Sequence, residues 1–319
     1  MNATHADVSS SGHANKRSRI GIDLGGTKIA GVRLGADDEV LAESRMPTPR
    51  DDYAGTLSAI AGIVERLDSQ SEKPSTVGIA MPGSIAPGSG CVQNANSTWL
   101  NGHRFQADAA SALERPVRCA NDANCFVLSE TLDGSAAGAN SAFGVIVGTG
   151  CGGGLVVGGQ LVNGARNIGG EWGHNPLPPS DHGSALRHTA RRCWCGRLDC
   201  IETWVSGPGM ANDHCSVTGE TLTSEAIAKR AEQGDEGARQ TLARHAARLA
   251  HGLAGIVNII DPDVIVLGGG LSKLHHLYTT LPKLMRPQIF ADDPHIDIRP
   301  PRWGDASGVR GAARLWDMP

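Results

Sequence analysis

The chain has 319 residues, 40% of them hydrophobic, and a formal net charge of −4. This length and composition are typical of a globular protein of two ordinary domains rather than of a disordered chain. Because it contains no large basic block, the chain is a poor candidate for nucleic-acid binding, and we expect no nucleic-acid partner. Residues 1–18 are polar and contain no apolar run of signal-peptide length, which predicts a disordered tail.

A small N-terminal lobe is predicted over residues 19–120. Its predicted strands lie at 19–23, 28–34, 76–81 and 117–120, with a third strand after 34 and helices near 53–67 and 105–114. The first two strands flank a glycine turn.

A larger lobe is predicted over residues 121–304, and it begins like the first, with strand, glycine-rich turn and strand near 144–165. We interpret this as an internal duplication, although two unrelated glycine hairpins would give a similar pattern. Helices are predicted at 224–232 and 235–260, followed by a buried strand and a triple-glycine turn over 263–272. A last helix within 305–319 is expected to pack back on the first lobe.

The stretch 142–162 has no charged residue, but its many glycines make a membrane helix unfavourable. With no signal and no span, we predict a cytoplasmic protein without a membrane partner.

Three glycine-rich loops that follow apolar strands are the candidates for phosphate binding, because backbone N–H groups can approach phosphate oxygens closely only where side chains are absent. They comprise Gly25, Gly26, Thr27 and Lys28; Gly148, Thr149 and Gly150; and Gly268, Gly269 and Gly270. We predict that they bind ATP, with the adenine near the third loop. Asp23 precedes the first loop and is a candidate Mg²⁺ ligand or a turn-capping residue.

Asp122 lies between a predicted strand and helix in the segment Asn121–Asn124. If the γ-phosphoryl group of ATP is transferred to a sugar hydroxyl, one carboxylate must accept the hydroxyl proton, and Asp122 is the candidate base. The alternative is that Asn121 or Asp122 only caps the helix.

A second group of candidates follows in the segments GEWGH and CWCGRLDCIE. Glu171 and Glu202 are carboxylates that could accept hydrogen bonds from sugar hydroxyls. Cys193, Cys195 and Cys200 predict a structural zinc site that needs one more ligand, for which His174 and His188 compete. Buried free thiols are the alternative.

In order along the chain, the segments IDLGGTKIAG, NDANC, GEWGHN, CWCGRLDCIE and VIVLGGGLS resemble signatures of the ROK family (repressors, open reading frames and sugar kinases) over about residues 19–316. The resemblance implies an α/β protein of the actin-like ATPase (ribonuclease H-like) fold, with two lobes around a central cleft. It implies Mg-ATP as cosubstrate, Asp122 as base and His174 as the fourth zinc ligand. The sugar contacts it implies are Gly83, Asn96, Asn121, Asp122, Glu171, His174 and Glu202.

One position departs from the family pattern. The residue before the last cysteine is usually glycine and here is Asp199. If that position needs a positive φ, aspartate tolerates it better than most residues, so zinc is still expected.

The segment NANSTWLNG and the long interval between His174 and Cys193 resemble the fructokinase and mannokinase branch, so fructose is the expected substrate. N-acetylglucosamine kinases and glucokinases are the alternatives within the family. A sensor without catalysis, or a transcriptional regulator, is the alternative of another class. It is disfavoured because both glycine loops and Asp122 are present, and because 18 residues before the first strand leave no room for a DNA-binding domain. We also expect a homodimer.

Overall fold

The computed structural model describes residues 17–177 and 190–318. His188, the alternative zinc ligand, lies outside the described residues. The strands of the described chain are β1 (Arg19–Leu24), β2 (Lys28–Leu34), β3 (Val40–Pro47), β4 (Thr76–Met81), β5 (Ser84–Ile85), β6 (Val92–Gln93), β7 (Val117–Asn121), β8 (Ser141–Val147), β9 (Cys151–Val157), β10 (Gln160–Leu161), β11 (Val264–Gly268) and β12 (Ile298–Arg299). The helices are α1 (Tyr53–Asp68), α2 (Phe105–Ala112), α3 (Asp122–Leu132), α4 (Glu202–Val205), α5 (Gly207–Thr218), α6 (Ser224–Glu232), α7 (Glu236–Ile260), α8 (His276–Met285) and α9 (Ser307–Ala313).

Two five-stranded sheets have the same design. The first has the order β3-β2-β1-β4-β7 and the second β10-β9-β8-β11-β12. In each, a central strand pairs antiparallel with the next strand of its hairpin and parallel with a later strand. The repeated order of elements therefore reflects a repeated topology, as the duplication hypothesis expected.

Local sequence explains where the helices begin and end. Asp52 caps α1 by accepting a hydrogen bond from the N–H of Gly55, and the apolar stripe containing Ile60, Ile63 and Leu67 is buried. The predicted helix near 105–114 ends earlier, at Ala112, because Glu114 adopts a positive φ of 51°. The predicted last helix is shorter as well, since a 3-10 turn replaces α9 after Ala313.

The two sheets are joined by the close crossing of α3 and α9. Helix α9 packs on β1, β2 and β4, and helix α3 packs on β8 and β9. At the crossing, a Cβ on Gly311 of α9 would lie 1.7 Å from the backbone oxygen of Cys125 in α3. Only glycine allows this backbone contact, so the crossing fixes how one sheet lies against the other.

The uncharged stretch that begins at Ala142 forms β8, β9 and β10 rather than a helix. Among the described residues, none of the helices combines the length and the apolar character that crossing a membrane requires.

Candidate functional site

Asp122 occupies the first position of α3, directly after β7. Its neighbour Asn121 caps the helix by accepting a hydrogen bond from the N–H of Ala123 over 2.9 Å, and its amide donates to the oxygen of Gly83 over 3.0 Å. The Asp122 carboxylate also accepts from the N–H of Ala123, at 2.8 Å. Both side chains therefore cap the start of α3 through the N–H of Ala123, and Asp122 uses only Oδ1 for this bond, so capping and a second role can coexist.

The environment of Asp122 favours a base stronger than an ordinary carboxylate. Asp122 keeps part of its surface in solvent, yet the surrounding protein partly desolvates its carboxyl group, and this desolvation raises the pKa of Asp122. The backbone hydrogen bond from Ala123 opposes the rise in pKa.

Asp23 lies close to Asp122 at the same edge of the first sheet, since β1, β4 and β7 are parallel and end together. Burial raises the pKa of Asp23 to about 6; the charge of Asp122 adds to the rise and Lys28 opposes it. Two carboxylates in one desolvated corner form a site that a cation would stabilise.

Glu171, Glu202 and His174 converge on the same region from the second half of the chain. Burial raises the pKa of Glu171, with further contributions from the charges of Asp122 and Glu202, while His174 opposes the rise. These interactions bring together residues that are 80 positions apart in the sequence. The indole of Trp172 fixes this segment by donating to the oxygen of Gly152 in β9 over 3.0 Å.

Glu202 is held at both carboxylate oxygens. Oε2 accepts from the N–H of Cys151 at 2.9 Å, and Oε1 accepts from the indole N–H of Trp194 at 2.7 Å. A Cβ on Gly150 would lie 2.8 Å from Oε2, so a larger residue at this position would displace the carboxylate of Glu202 from its observed place. The second glycine loop and the predicted sugar carboxylate are thus one packed unit.

The predicted zinc ligands His174, Cys193, Cys195 and Cys200 lie together, with their ligand atoms all within 4.8 Å of one another. Sγ of Cys195 is 3.6 Å from Sγ of Cys200, and Sγ of Cys193 is 3.6 Å from Nδ1 of His174. Zn–S bonds of about 2.3 Å in a tetrahedron place ligand atoms roughly 3.7 Å apart. The donor set and its spacing therefore fit a tetrahedral zinc ion.

Asp199 has the positive φ that its position required, at 55°. Its carboxylate accepts from the N–H of Arg191 at 2.9 Å, and its own N–H donates to the oxygen of Arg191 at 2.8 Å. The condition under which zinc was still expected, a positive φ at Asp199, is therefore met in this turn.

The second and third glycine loops meet at the edge where β8 and β11 end. The N–H of Gly207 donates to the oxygen of Gly148 at 2.8 Å, and a Cβ on Gly148 would come within 3.7 Å of the nitrogen of Gly270. Gly269 has a φ of 78°, with the backbone of Val147 directly against it. Backbone groups line this edge, as phosphate binding would require.

The first loop closes the β1–β2 hairpin through a 3.0 Å hydrogen bond from the N–H of Gly25 to the oxygen of Lys28. The space next to Gly26 is bounded by the hydroxyl of Ser97, 3.9 Å from where a Cβ would lie. Asn96, next to Ser97, is exposed, and Gly83 packs against the backbone of Ala95. The predicted contacts Gly83, Asn96 and Asn121 therefore form one neighbourhood beside the first loop.

A sequence profile of the ROK family matches residues 19–318. The chain belongs to the ROK family. It is 39% identical over 300 residues to the N-acetyl-D-glucosamine kinase of Citrobacter koseri, covering 92% of this chain and 98% of that protein.

Solved ROK structures have the same fold. The ROK hexokinase of Thermus thermophilus aligns with a TM-score of 0.81 at 29% identity, covering 93% of this chain and 96% of that one. A ROK glucokinase of Streptomyces griseus, solved with glucose and AMPPNP, aligns with a TM-score of 0.77 at 25% identity, covering 93% and 98%. The actin-like ATPase fold expected from the sequence is confirmed.

The expected branch within the family needs correction. Fructose was expected from the segment NANSTWLNG and the long interval before Cys193, but curated relatives that match nearly the whole chain, such as those of Citrobacter koseri and Escherichia coli, are N-acetyl-D-glucosamine kinases. The interval falls largely on residues 178–189, outside the described structure, and loop length alone is a weak indicator of which sugar is bound.

Two residues that contact the site were not predicted. Trp194 donates to Glu202, and Cys151 supplies the backbone N–H on the other side of that carboxylate. The position of Trp194 between two predicted zinc ligands is the sequence signal for the first, and no sequence signal identifies the second.

Proposed function

We propose that this protein is an ATP-dependent sugar kinase that phosphorylates the 6-hydroxyl of N-acetylglucosamine. The observation that carries the choice of sugar is the 39% identity to an N-acetyl-D-glucosamine kinase over nearly the full length of both chains. The convergence of Asp122, Glu171, Glu202 and His174 on one region supports a polar site of the kind that a sugar with several hydroxyls needs.

Asp122 is the proposed catalytic base. Its raised pKa makes it a better proton acceptor than an ordinary aspartate, and its second oxygen is not used for helix capping. It would accept the proton of the sugar hydroxyl as the γ-phosphoryl group of ATP is transferred to that oxygen and ADP leaves.

The other residues bind and orient. Glu171, His174 and Glu202 would accept or donate hydrogen bonds to sugar hydroxyls, with Gly83, Asn96 and Asn121 on the opposite side. Backbone N–H groups of the loops at Gly25–Lys28, Gly148–Gly150 and Gly268–Gly270 would hold the nucleotide phosphates. Asp23 would hold the Mg²⁺ that accompanies ATP and neutralises phosphate charge.

His174, Cys193, Cys195 and Cys200 would hold a structural zinc ion, which supplies rigidity and takes no part in proton or phosphoryl transfer. Metal analysis of the purified protein should find about one zinc per chain. Protein that is active, folded and free of zinc would contradict this assignment. The homodimer remains a prediction.

A coupled assay that detects ADP tests the function, with N-acetylglucosamine, fructose, mannose and glucose compared at equal concentrations. We expect kcat/KM for N-acetylglucosamine to exceed that for each other sugar by about tenfold or more. Turnover that is highest with fructose would restore the branch first expected from the sequence. Sugar binding without ADP release would instead identify a sensor.

A further inference from the structure

A cavity of about 520 Å³ lies at the end of the first sheet that is remote from Asp23. Its lining includes Arg17 and Ser18 before β1, Arg33 near the end of β2, and the loop 70–73 that follows α1. A cavity of this volume is large enough for a small metabolite.

Arg33 faces this cavity from a buried position. It pairs with Ile20 across β1 and β2 and lies on the same sheet face as Gly31, which packs on Ile63 and Leu67 of α1. Asp23 is three residues from Ile20 along β1, so its side chain lies on the other face of the sheet, where it approaches Gly308 of α9. The cavity and the candidate catalytic site therefore lie on opposite faces of the sheet, about 10 Å apart along the strands.

Among the four buried arginines of the described chain, one differs from the other three in its partners. Arg19, Arg310 and Arg314 each form an ion pair with an aspartate. The side chain of Arg33 is as deeply buried, with 7% of the residue exposed, yet it forms no ion pair or hydrogen bond with any described residue. The Nε of Arg33 is buried, and because the residue lines the cavity, its terminal nitrogens are free to donate to an anion there.

Neighbouring carboxylates do not fill this role. Asp68, at the end of α1, is engaged with Arg115 and Ser75. Asp38 pairs with Arg19 and Arg314. Glu72 lines the cavity but is exposed and does not pair with Arg33.

The charges around the cavity define the anion. Arg33, Arg17 and Lys73 oppose the single carboxylate of Glu72, which leaves a net charge of about +2. A phosphate monoester carries close to two negative charges at neutral pH and accepts paired hydrogen bonds from a guanidinium.

We propose that this cavity binds a small phosphorylated metabolite, with the phosphate on Arg33 and with Arg17 and Lys73 at the rim. The site is separate from the catalytic cleft and does not depend on which sugar the enzyme phosphorylates. Inorganic phosphate shares the same chemistry and would bind more weakly if the organic part also makes contacts.

The test is calorimetric titration with inorganic phosphate and, separately, glucose 6-phosphate at constant ionic strength. Saturating N-acetylglucosamine and a non-hydrolysable Mg-ATP analogue fill the catalytic cleft first. We expect one further equivalent to bind to the wild type, and Arg33→Met to lose about tenfold or more in affinity. Arg66→Met, which removes an exposed arginine from α1 outside the cavity, is the matched control and should bind as the wild type does.

Thermal unfolding without phosphate separates this role from a structural one. Arg33→Met should be about as stable as the wild type, because the substitution breaks no ion pair or hydrogen bond with the described residues and keeps an apolar side chain of similar length. The proposal is overturned if the wild type binds no further phosphate, or if Arg33→Met keeps wild-type affinity. Should Arg33→Met fail to fold, the rim variant Lys73→Met must still weaken binding by about threefold, and unchanged affinity there would also reject the site.

Discussion

The two central hairpins of the molecule share a backbone plan but not their chemistry. In the first, Leu24 and Ile29 form the last pair before the turn, and in the second the last pair is Val147 and Cys151. One residue before these pairs, the position of Asp23 in the first hairpin is occupied by Ile146 in the second. Both turns are rich in glycine, but only the first carries a carboxylate one step before its end. The second instead presents the backbone N–H of Cys151 to Glu202.

This difference indicates that the two sheets share the strand ends and the glycine turns at which backbones approach closely. The charged side chains at those strand ends differ between the two sheets. The first sheet contributes Asp23 and, through α3, Asp122. The second contributes glycine turns and the surfaces on which Glu171 and Glu202 are fixed. The cation and the proton acceptor should then depend on the first sheet, and sugar positioning on the second.

Asp122→Asn tests the first half of this comparison most severely. We expect kcat to fall by about 10²–10⁴-fold, because the amide cannot accept the hydroxyl proton, while the Kd for N-acetylglucosamine changes by less than about threefold. Coupled assays and calorimetry measure the two quantities. Asp292→Asn, an exposed aspartate far along the chain, is the control, and near-normal kcat in Asp122→Asn would remove that residue from its proposed role.

Asp23→Asn should lower kcat/KM by about ten- to a hundredfold and raise the KM for Mg-ATP, because one charged oxygen for the cation is lost.

Asp23→Asn should also stabilise the free protein. The folded state raises the pKa of Asp23 from an ordinary 3.8 to about 6, so its ionised form destabilises the fold above that pH.

We expect the variant to gain about 1–3 kcal/mol in the free energy of unfolding at pH 8, and nothing below about pH 3, where the wild-type carboxyl is protonated in both states. Urea unfolding without nucleotide at the two pH values measures this. A variant that is less stable at pH 8 would show that Asp23 is held by favourable contacts instead.

Gly150→Ala tests the second hairpin. The added Cβ would lie 2.8 Å from Oε2 of Glu202, so the carboxylate or the turn must move. We expect the KM for the sugar to rise about tenfold with a smaller change in kcat. Gly255→Ala is the matched control, because its Cβ would meet no atom within 4 Å and alanine favours the interior of α7. Equal kinetics for the two variants would mean that Glu202 does not need its observed position.

Trp194→Phe should have the smallest effect. It removes one hydrogen bond to Glu202 from an exposed ring that packs edge-on against His174, with ring centroids 5.2 Å apart. We expect the KM for the sugar to rise about threefold while the zinc content stays unchanged. If zinc is lost instead, the indole supports the metal loop rather than the carboxylate.

Features with a local cause were predictable from the sequence. The glycine turns, the strands before them and the start of α3 at Asn121 follow from apolar runs, glycine placement and capping preference. The spacing of Cys193, Cys195 and Cys200 predicted their grouping. The choice of His174 over His188 as the fourth ligand, by contrast, followed from the family signatures, because residue patterns alone left both as alternatives.

Features that depend on packing between distant segments were not predictable. The hydrogen bonds to Glu202, and the absence of a partner for Arg33 within residues 17–177 and 190–318, arise only when strands, helices and loops meet in three dimensions. The end of α2 was misjudged because nothing in the apolar pattern signals the positive φ of Glu114. The choice of sugar could not be read from a loop that only resembles those of one branch.

The carboxylate of Glu202 touches both the hairpin and the loop of the cysteines, and this has a thermodynamic consequence. Trp194 lies between Cys193 and Cys195, so an ion that orders the cysteines also orders the donor to Glu202. Linkage is reciprocal: if zinc tightens sugar binding by some factor, sugar must raise the equilibrium affinity for zinc by the same factor. A chelator should therefore strip the sugar-saturated protein less readily than the empty one.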